Sequence, residues 1–164
     1  MNTEPIQTPF DKFRTTVRPE WIDNNNHMNM GYYMVVFDEA TDDWLNYIGL
    51  DSAHRLTNEI TTFCVEGHIT YDMEVRVNAP LHFKTTLLDF DEKRIHYIHE
   101  MYHGTEGFLA STNELMSLHV SLATRRAAPM HGEILVRLRE IKAAHDQLPP
   151  LPQAGRHIGL RQKK

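Results

Sequence analysis

WIDNNNHMNMGYY, residues 21–33, places Asp23, Asn25, His27 and Asn29 immediately ahead of a long amphipathic pattern. From Met30 onward the apolar residues Met30, Tyr33, Met34, Phe37, Ala40, Trp44, Leu45 and Ile48 recur at helical spacing, and Asp38, Glu39, Asp42, Asp43 and Asn46 take the opposite side. Asn29 suits an N-cap, because its side-chain oxygen can accept from a first-turn N–H, and Gly49 suits the left-handed exit. The reading is therefore one helix of about five turns, entered through a loop crowded with polar side chains.

Upstream, DKFRTTVRPEWI (11–22) sets Phe13, Thr15 and Val17 against Lys12, Arg14, Thr16 and Arg18, the period of a half-buried strand ended by Pro19. Downstream, the segments 59–77, 81–90, 94–103 and 108–126 are rich in β-branched and aromatic residues. DEKR (91–94) and GTEG (104–107) connect them at hairpin length. A strand, a long helix and about four consecutive strands predict an α+β domain with the helix against an antiparallel sheet of about five strands. HGEILVRLREIKAAHDQ (131–147) predicts a C-terminal helix with Ile134, Leu135, Leu138 and Ile141 on one side. Residues 1–145 are then a single domain, and 146–164, rich in proline and basic at the end, a surface tail.

The chain has 164 residues, 41% hydrophobic and 24% charged, which fits one globular domain. A net charge of −5 without a basic block argues against a nucleic-acid partner. No apolar run has the length of a membrane span, the first ten residues lack a secretory pattern, and the single Cys64 cannot pair within the chain; a cytoplasmic protein is expected. His96, His99 and His103 look metal-like in spacing, but on a strand His96 points away from the other two, so no metal site and no cofactor are assigned.

The motif D-x-N-x-H-x-N (Asp23 to Asn29), followed by the long helix and the strand meander, resembles the hotdog-fold acyl-CoA thioesterases of the 4-hydroxybenzoyl-CoA thioesterase type over residues 12–130. RPEWIDNNNHMNMGYY (18–33) and DEATDDWL (38–45) together resemble, more narrowly, the bacterial betainyl-CoA thioesterases of carnitine breakdown. The resemblance implies a helix wrapped by a curved sheet, a homodimer or dimer of dimers with sites at the subunit interface, and an acyl-CoA substrate. It places Asp23 at the catalytic carboxylate, and SLATRRAAP (121–129) where basic residues often face the CoA phosphates.

Thioester hydrolysis needs an attacking oxygen, donors for the developing oxyanion and a departing thiolate. Asp23 can act as general base or nucleophile, or simply form an Asx-turn ahead of the helix. First-turn N–H groups are pre-aimed oxyanion donors, with Met30 and Gly31 as candidates, and Gly31 would admit close approach of an acyl group. Asn25 can position water or substrate and His27 can orient Asp23, or both can satisfy loop backbone. Glu66 can reach a site across a subunit interface, or be a solvated strand carboxylate. Arg125 and Arg126 carry forks suited to phosphate, with adjacent strand residues facing opposite ways. A cationic acyl group would need aromatic faces and nearby acids, for which Trp21, Tyr32, Tyr33, Trp44, Asp42 and Asp43 form the inventory, although Phe37 and Trp44 fit the core stripe better. The rival readings are a hotdog enoyl-CoA hydratase, whose D-x-N-x-x-H pattern differs by one residue from the one here, and a non-catalytic acyl-CoA-binding protein or scaffold subunit.

Overall fold

Asn29 and Gly49 bracket the helix around which the chain is built. In the computed structural model, which describes residues 5–160, Asn29 Oδ1 accepts from the Gly31 N–H at 2.9 Å, and Gly49 adopts φ 97°. Helix α1 therefore spans Met30–Ile48. Gly49 is required twice, since its φ disfavours any side chain and a Cβ would meet Ile134 Cδ1 at 3.0 Å. One turn later Asp51 caps a short helix α2, Ser52–Asn58, through the His54 N–H at 2.8 Å. Helix α2 leaves no periodic signal in the sequence, because seven residues carry too few apolar positions to show a period.

The strands are β1 (Arg14–Thr16), β2 (Ile60–Tyr71), β3 (Pro80–Phe90), β4 (Arg94–His103), β5 (Leu109–Ser121) and β6 (Arg126–Ala127), and helix α3 covers Gly132–His145. They form one antiparallel sheet in the order β1-β3-β4-β5-β2, with β6 paired to the end of β5. Register shifts at Cys64/Glu66, Leu87/Asp89 and Met101/Tyr102 add the local bend and twist that let a sheet curl. The curled sheet wraps α1. The first strand is shorter than its alternation suggests: three residues pair, and Val17 beyond them is fully buried.

The core has two parts along α1. Toward its N-terminus Tyr33, Val36 and Phe37 pack with Leu81, Phe83 and Met101; toward its C-terminus Trp44 and Ile48 pack with Leu87, Tyr97 and α3's Leu138. Burying each large apolar side chain contributes roughly 1.5–3 kcal/mol. The expected stripe is corrected at two positions, for Met30 (67% exposed) and Met34 (42% exposed) lie outside the core, while Val36 and Tyr47 lie inside it. The sheet closes over one side of the helix only, so the buried arc is displaced from the one the spacing alone suggests.

Two buried histidines are locked as neutral tautomers. Thr41 Oγ1 donates to Phe37 O, so it accepts from His99 Nε2–H at 3.0 Å, and His99 Nδ1 must accept from Thr85 Oγ1 at 2.8 Å. His145 Nδ1 accepts from the Leu87 N–H and its Nε2–H donates to Gln7 O. The histidines of β4 are thus structural: His96 pairs with Glu114 at 2.7 Å and His103 faces Glu106. Past α3 the chain runs through turns over the surface, and the Gly155 N–H donates to Glu114 Oε2 at 2.7 Å.

Candidate active site

The polar stretch at 23–29 folds into a tight loop because its ends pair. Ile22 and Met28 form a bridge, the Asp23 N–H donates to His27 O and the Asn26 N–H to Asp23 O, and Asn26 takes the left-handed φ of 62° that asparagine tolerates. The Met28 N–H donates to Val75 O, which ties the loop to the segment after β2. As a result, a cleft of about 410 Å³ opens at the N-terminus of α1, lined by Asp23, His27, Met30, Tyr33, Tyr71 and Glu74 among others.

Within it, Asp23 Oδ1 accepts from the Asn25 N–H at 2.8 Å, and Oδ2 stands 3.5 Å from Asn29 Nδ2. Asp23 therefore forms the Asx-turn and still presents a carboxylate oxygen to the cleft. The Met30 N–H has no acceptor among the described residues, whereas the Gly31 N–H is taken by the Asn29 cap. Of the two candidate donors, Met30 or Gly31, only the former is available while the cap holds. Tyr33 meets the edge of Tyr71 at 5.1 Å and 87°, and the Tyr71 hydroxyl donates to Met30 O at 3.4 Å. Burial raises the Tyr33 hydroxyl above its ordinary range, so both phenols stay neutral at physiological pH.

His27 does not pair with Asp23. Its Nε2 lies 3.9 Å from Glu74 Oε2 and its Nδ1 is 3.4 Å from Met28 O, while the Asn25 side chain is exposed. Trp21, expected at the substrate, is 3% exposed, stacked on Tyr32 and covered by the Arg18 guanidinium at 4.7 Å. The short turn Pro19–Trp21 tucks the indole under the loop, and Tyr32 follows it away from the cleft. Trp44 is fully buried at the other end of α1, which removes it from any cation site, and Asp42 lies a short way off, 3.9 Å from Arg55. Asp43 lines neither this cleft nor the groove along α1.

Glu66 is exposed on β2 beside a bulge and does not line the cleft. The expected strand pair Arg125–Arg126 is corrected too: β5 ends at Ser121, Arg125 sits in a turn at φ 57° with its guanidinium over Phe63 at 5.5 Å, and Arg126 opens β6. Both lie by the Ile60 end of β2, whereas the cleft is at Tyr71, about 36 Å along the strand.

Asp72 and Glu74, which line the cleft with Tyr71, carry no sequence signal of their own. They belong to an irregular segment whose position depends on how β2 ends. A second groove of about 470 Å³ runs along α1 from Gly31 to Leu45, with Asp38, Thr41, Cys64 and Asn113 on its walls. Asn113 Oδ1 is buried there without a hydrogen-bond partner.

A helix wrapped by a curled antiparallel sheet, with a polar cleft at the helix entrance, is the architecture of the hotdog-fold thioesterases. The chain belongs to the thioesterase-like superfamily, which it matches over residues 17–138. It is 40% identical to the betainyl-CoA thioesterase of Pseudomonas aeruginosa over 90% of this chain and 93% of that protein. It is 32% identical to the L-carnitine dehydrogenase/betainyl-CoA thioesterase of Rhizobium meliloti, covering 88% of this chain and 29% of that longer protein. Among solved structures it is similar to a Staphylococcus aureus protein in complex with CoA, with a TM-score of 0.87 and 26% identity over 98% of this chain and all of that one. The protein is an acyl-CoA thioesterase. None of its described helices is long and apolar enough to cross a membrane.

Proposed function

We propose that the acyl group is betainyl, so that the products are glycine betaine and CoA. The observation that carries this is the composition of the cleft: three carboxylates, Asp23, Asp72 and Glu74, line it together with the Tyr33–Tyr71 aromatic pair. In a betainyl thioester the quaternary nitrogen lies two bonds, about 2.5 Å, from the carbonyl carbon. The cation must therefore sit beside the attacked carbon, and here aromatic rings and carboxylates line the same cleft as Asp23. A quaternary ammonium donates no hydrogen bond, so ring faces and diffuse negative charge are the means of holding it. The likeness to the Pseudomonas enzyme supports the same reading.

In this mechanism Asp23 takes a proton from water as the oxygen attacks the carbonyl carbon. The new oxyanion is held by the Met30 N–H with the positive end of the α1 dipole behind it. The C–S bond then breaks, and the proton passes from Asp23 to the departing thiolate. His27 and Glu74 shape the field beside the cation, and Asn25 borders the water side of the loop.

We also propose a homodimer paired through β2. That strand is a sheet edge with Phe63 (41%) and Val65 (55%) exposed, and Met30, Met34 and Val35 continue the apolar surface. Antiparallel pairing of two such edges would bring the Leu122–Arg126 turn of a second copy toward the cleft, answering the distance within one chain. Sedimentation as a monomer at assay concentration would remove this part.

Thiol release from a panel of acyl-CoA esters tests the substrate. Betainyl-CoA is expected to exceed short neutral, aromatic and long-chain esters in kcat/KM by at least tenfold; preference for a neutral ester would discard the cation site. On the same assay, Arg126→Ala is expected to raise KM for CoA esters several-fold with kcat unchanged, and Arg125→Ala to do less because its guanidinium is engaged with Phe63. Equal small effects would remove the phosphate assignment.

A further inference from the structure

At the far end of α1 from the cleft, about 28 Å along the helix axis, His54 of α2 meets His131 and Glu133 at the start of α3. One ligand atom of each lies within 4.8 Å of the others. The two imidazoles stand 5.1 Å apart at 72°, and His54 Nδ1 is 3.6 Å from Glu133 Oε1. That spacing is too long for a hydrogen bond but close to the about 3.3 Å between two ligands of a tetrahedral ion with bonds near 2.0 Å.

Three further features are unexplained by packing. His131 occupies the N-cap of α3 without capping it, where serine, threonine, aspartate or asparagine would stabilise the helix. His54 Nε2 is buried with no hydrogen-bond partner. His119 of β5, 1% exposed and within electrostatic reach of His54 and His131, repeats that state: its Nδ1–H donates to Ala128 O at 2.8 Å and its Nε2 lone pair is buried and unpartnered. An imidazole N–H held on a backbone carbonyl is the support that orients a metal-ligating histidine.

We propose that His54, His131 and Glu133 bind a divalent transition-metal ion of the zinc class, next to the oriented imidazole of His119. Two imidazoles and one carboxylate suit such an ion rather than calcium or magnesium. Bound there, it joins α2 to the first turn of α3 and stabilises the fold without entering the hydrolysis. The sequence conceals the site, because 76 residues separate His54 from His131.

The test is calorimetric titration of chelator-treated full-length protein with ZnCl2, with Co(II) absorption as a spectroscopic reading of coordination. One ion per chain is expected, with Kd of 10 μM or below, a rise in Tm of about 3–6 °C at tenfold excess over Kd and the visible bands of four-coordinate Co(II). His131→Gln and Glu133→Gln, both at exposed positions, should each weaken binding at least tenfold and remove the Tm rise, leaving metal-free Tm and thiol release unchanged. Absence of stoichiometric binding, or binding undiminished in both variants, would overturn the site.

Discussion

Asp23→Asn is expected to lower kcat by a factor of about 10²–10⁴, the usual contribution of a positioned general base, or about 3–5 kcal/mol of transition-state stabilisation. The substitution isolates chemistry from architecture. An asparagine oxygen can still accept from the Asn25 N–H, so the Asx-turn, the Ile22–Met28 bridge and the cap on α1 should survive. Tm should then change little while turnover falls, and full activity in the variant would sink the mechanism. A single turnover in ¹⁸O water separates the two carboxylate roles. General-base catalysis puts solvent oxygen into the first product, whereas nucleophilic attack through an acyl–Asp23 anhydride, opened by water at the Asp23 carboxyl, puts in an oxygen from Asp23.

Acid should destabilise the fold well above the pH at which ordinary carboxylates titrate. Burial lowers His99 from 6.5 to about 3, and lowers His119 and His145 in the same direction. These groups are neutral in the folded chain and protonate more readily when it unfolds. The unfolded state therefore binds more protons once pH falls below about 6.5, so stability is fully present above that value and declines toward the folded pKa. For His99 about 2 kcal/mol is already lost at pH 5 and about 4 kcal/mol at pH 3. The structure supplies the reason in detail: a proton on His99 Nδ1 would abolish the acceptor for the Thr85 hydroxyl in a site beside Phe37 that solvent does not reach. Urea midpoints at pH 7.5 and 5.0 should differ clearly, and His99→Gln should flatten the difference while lowering stability at neutral pH. An unchanged pH slope in that variant would refute the assignment.

The rival readings part from hydrolysis at the same loop. One residue, Asn26, separates Asn25 from His27 where the hydratase pattern has two, and the Ile22–Met28 bridge leaves no space for another without reopening the turn. Free thiol from a saturated acyl-CoA excludes hydration as the main reaction, and its absence from every ester would return the binding-protein reading to the front.

Local signals were legible wherever backbone chemistry decides structure. The ends of α1 follow from one asparagine and one glycine, the strands from alternation and short polar turns, and α3 from the spacing of Ile134, Leu138 and Ile141. Asp23 stood out because the D-x-N-x-H-x-N motif resembles the active-site loop of hotdog thioesterases; by residue type and position alone it fits an Asx-turn as well. The fates of individual side chains were less legible. Trp21 and Tyr33 are both aromatic and near the loop, yet one is sealed under Arg18 and the other lines the cleft. Met34 matches the helical period and remains exposed.

What the sequence by itself determined is the set of elements, their order and the polar loop at the helix entrance, because caps, turns and periodicity act over a few residues. What only the tertiary structure decided is which distant residues share that entrance. The curl of the sheet brings Tyr71, Asp72 and Glu74 onto the loop and carries Arg125 and Arg126 to the opposite end of β2. Curvature sums small bends and twists over many strand pairs, including three register shifts, and no short window of sequence contains that sum.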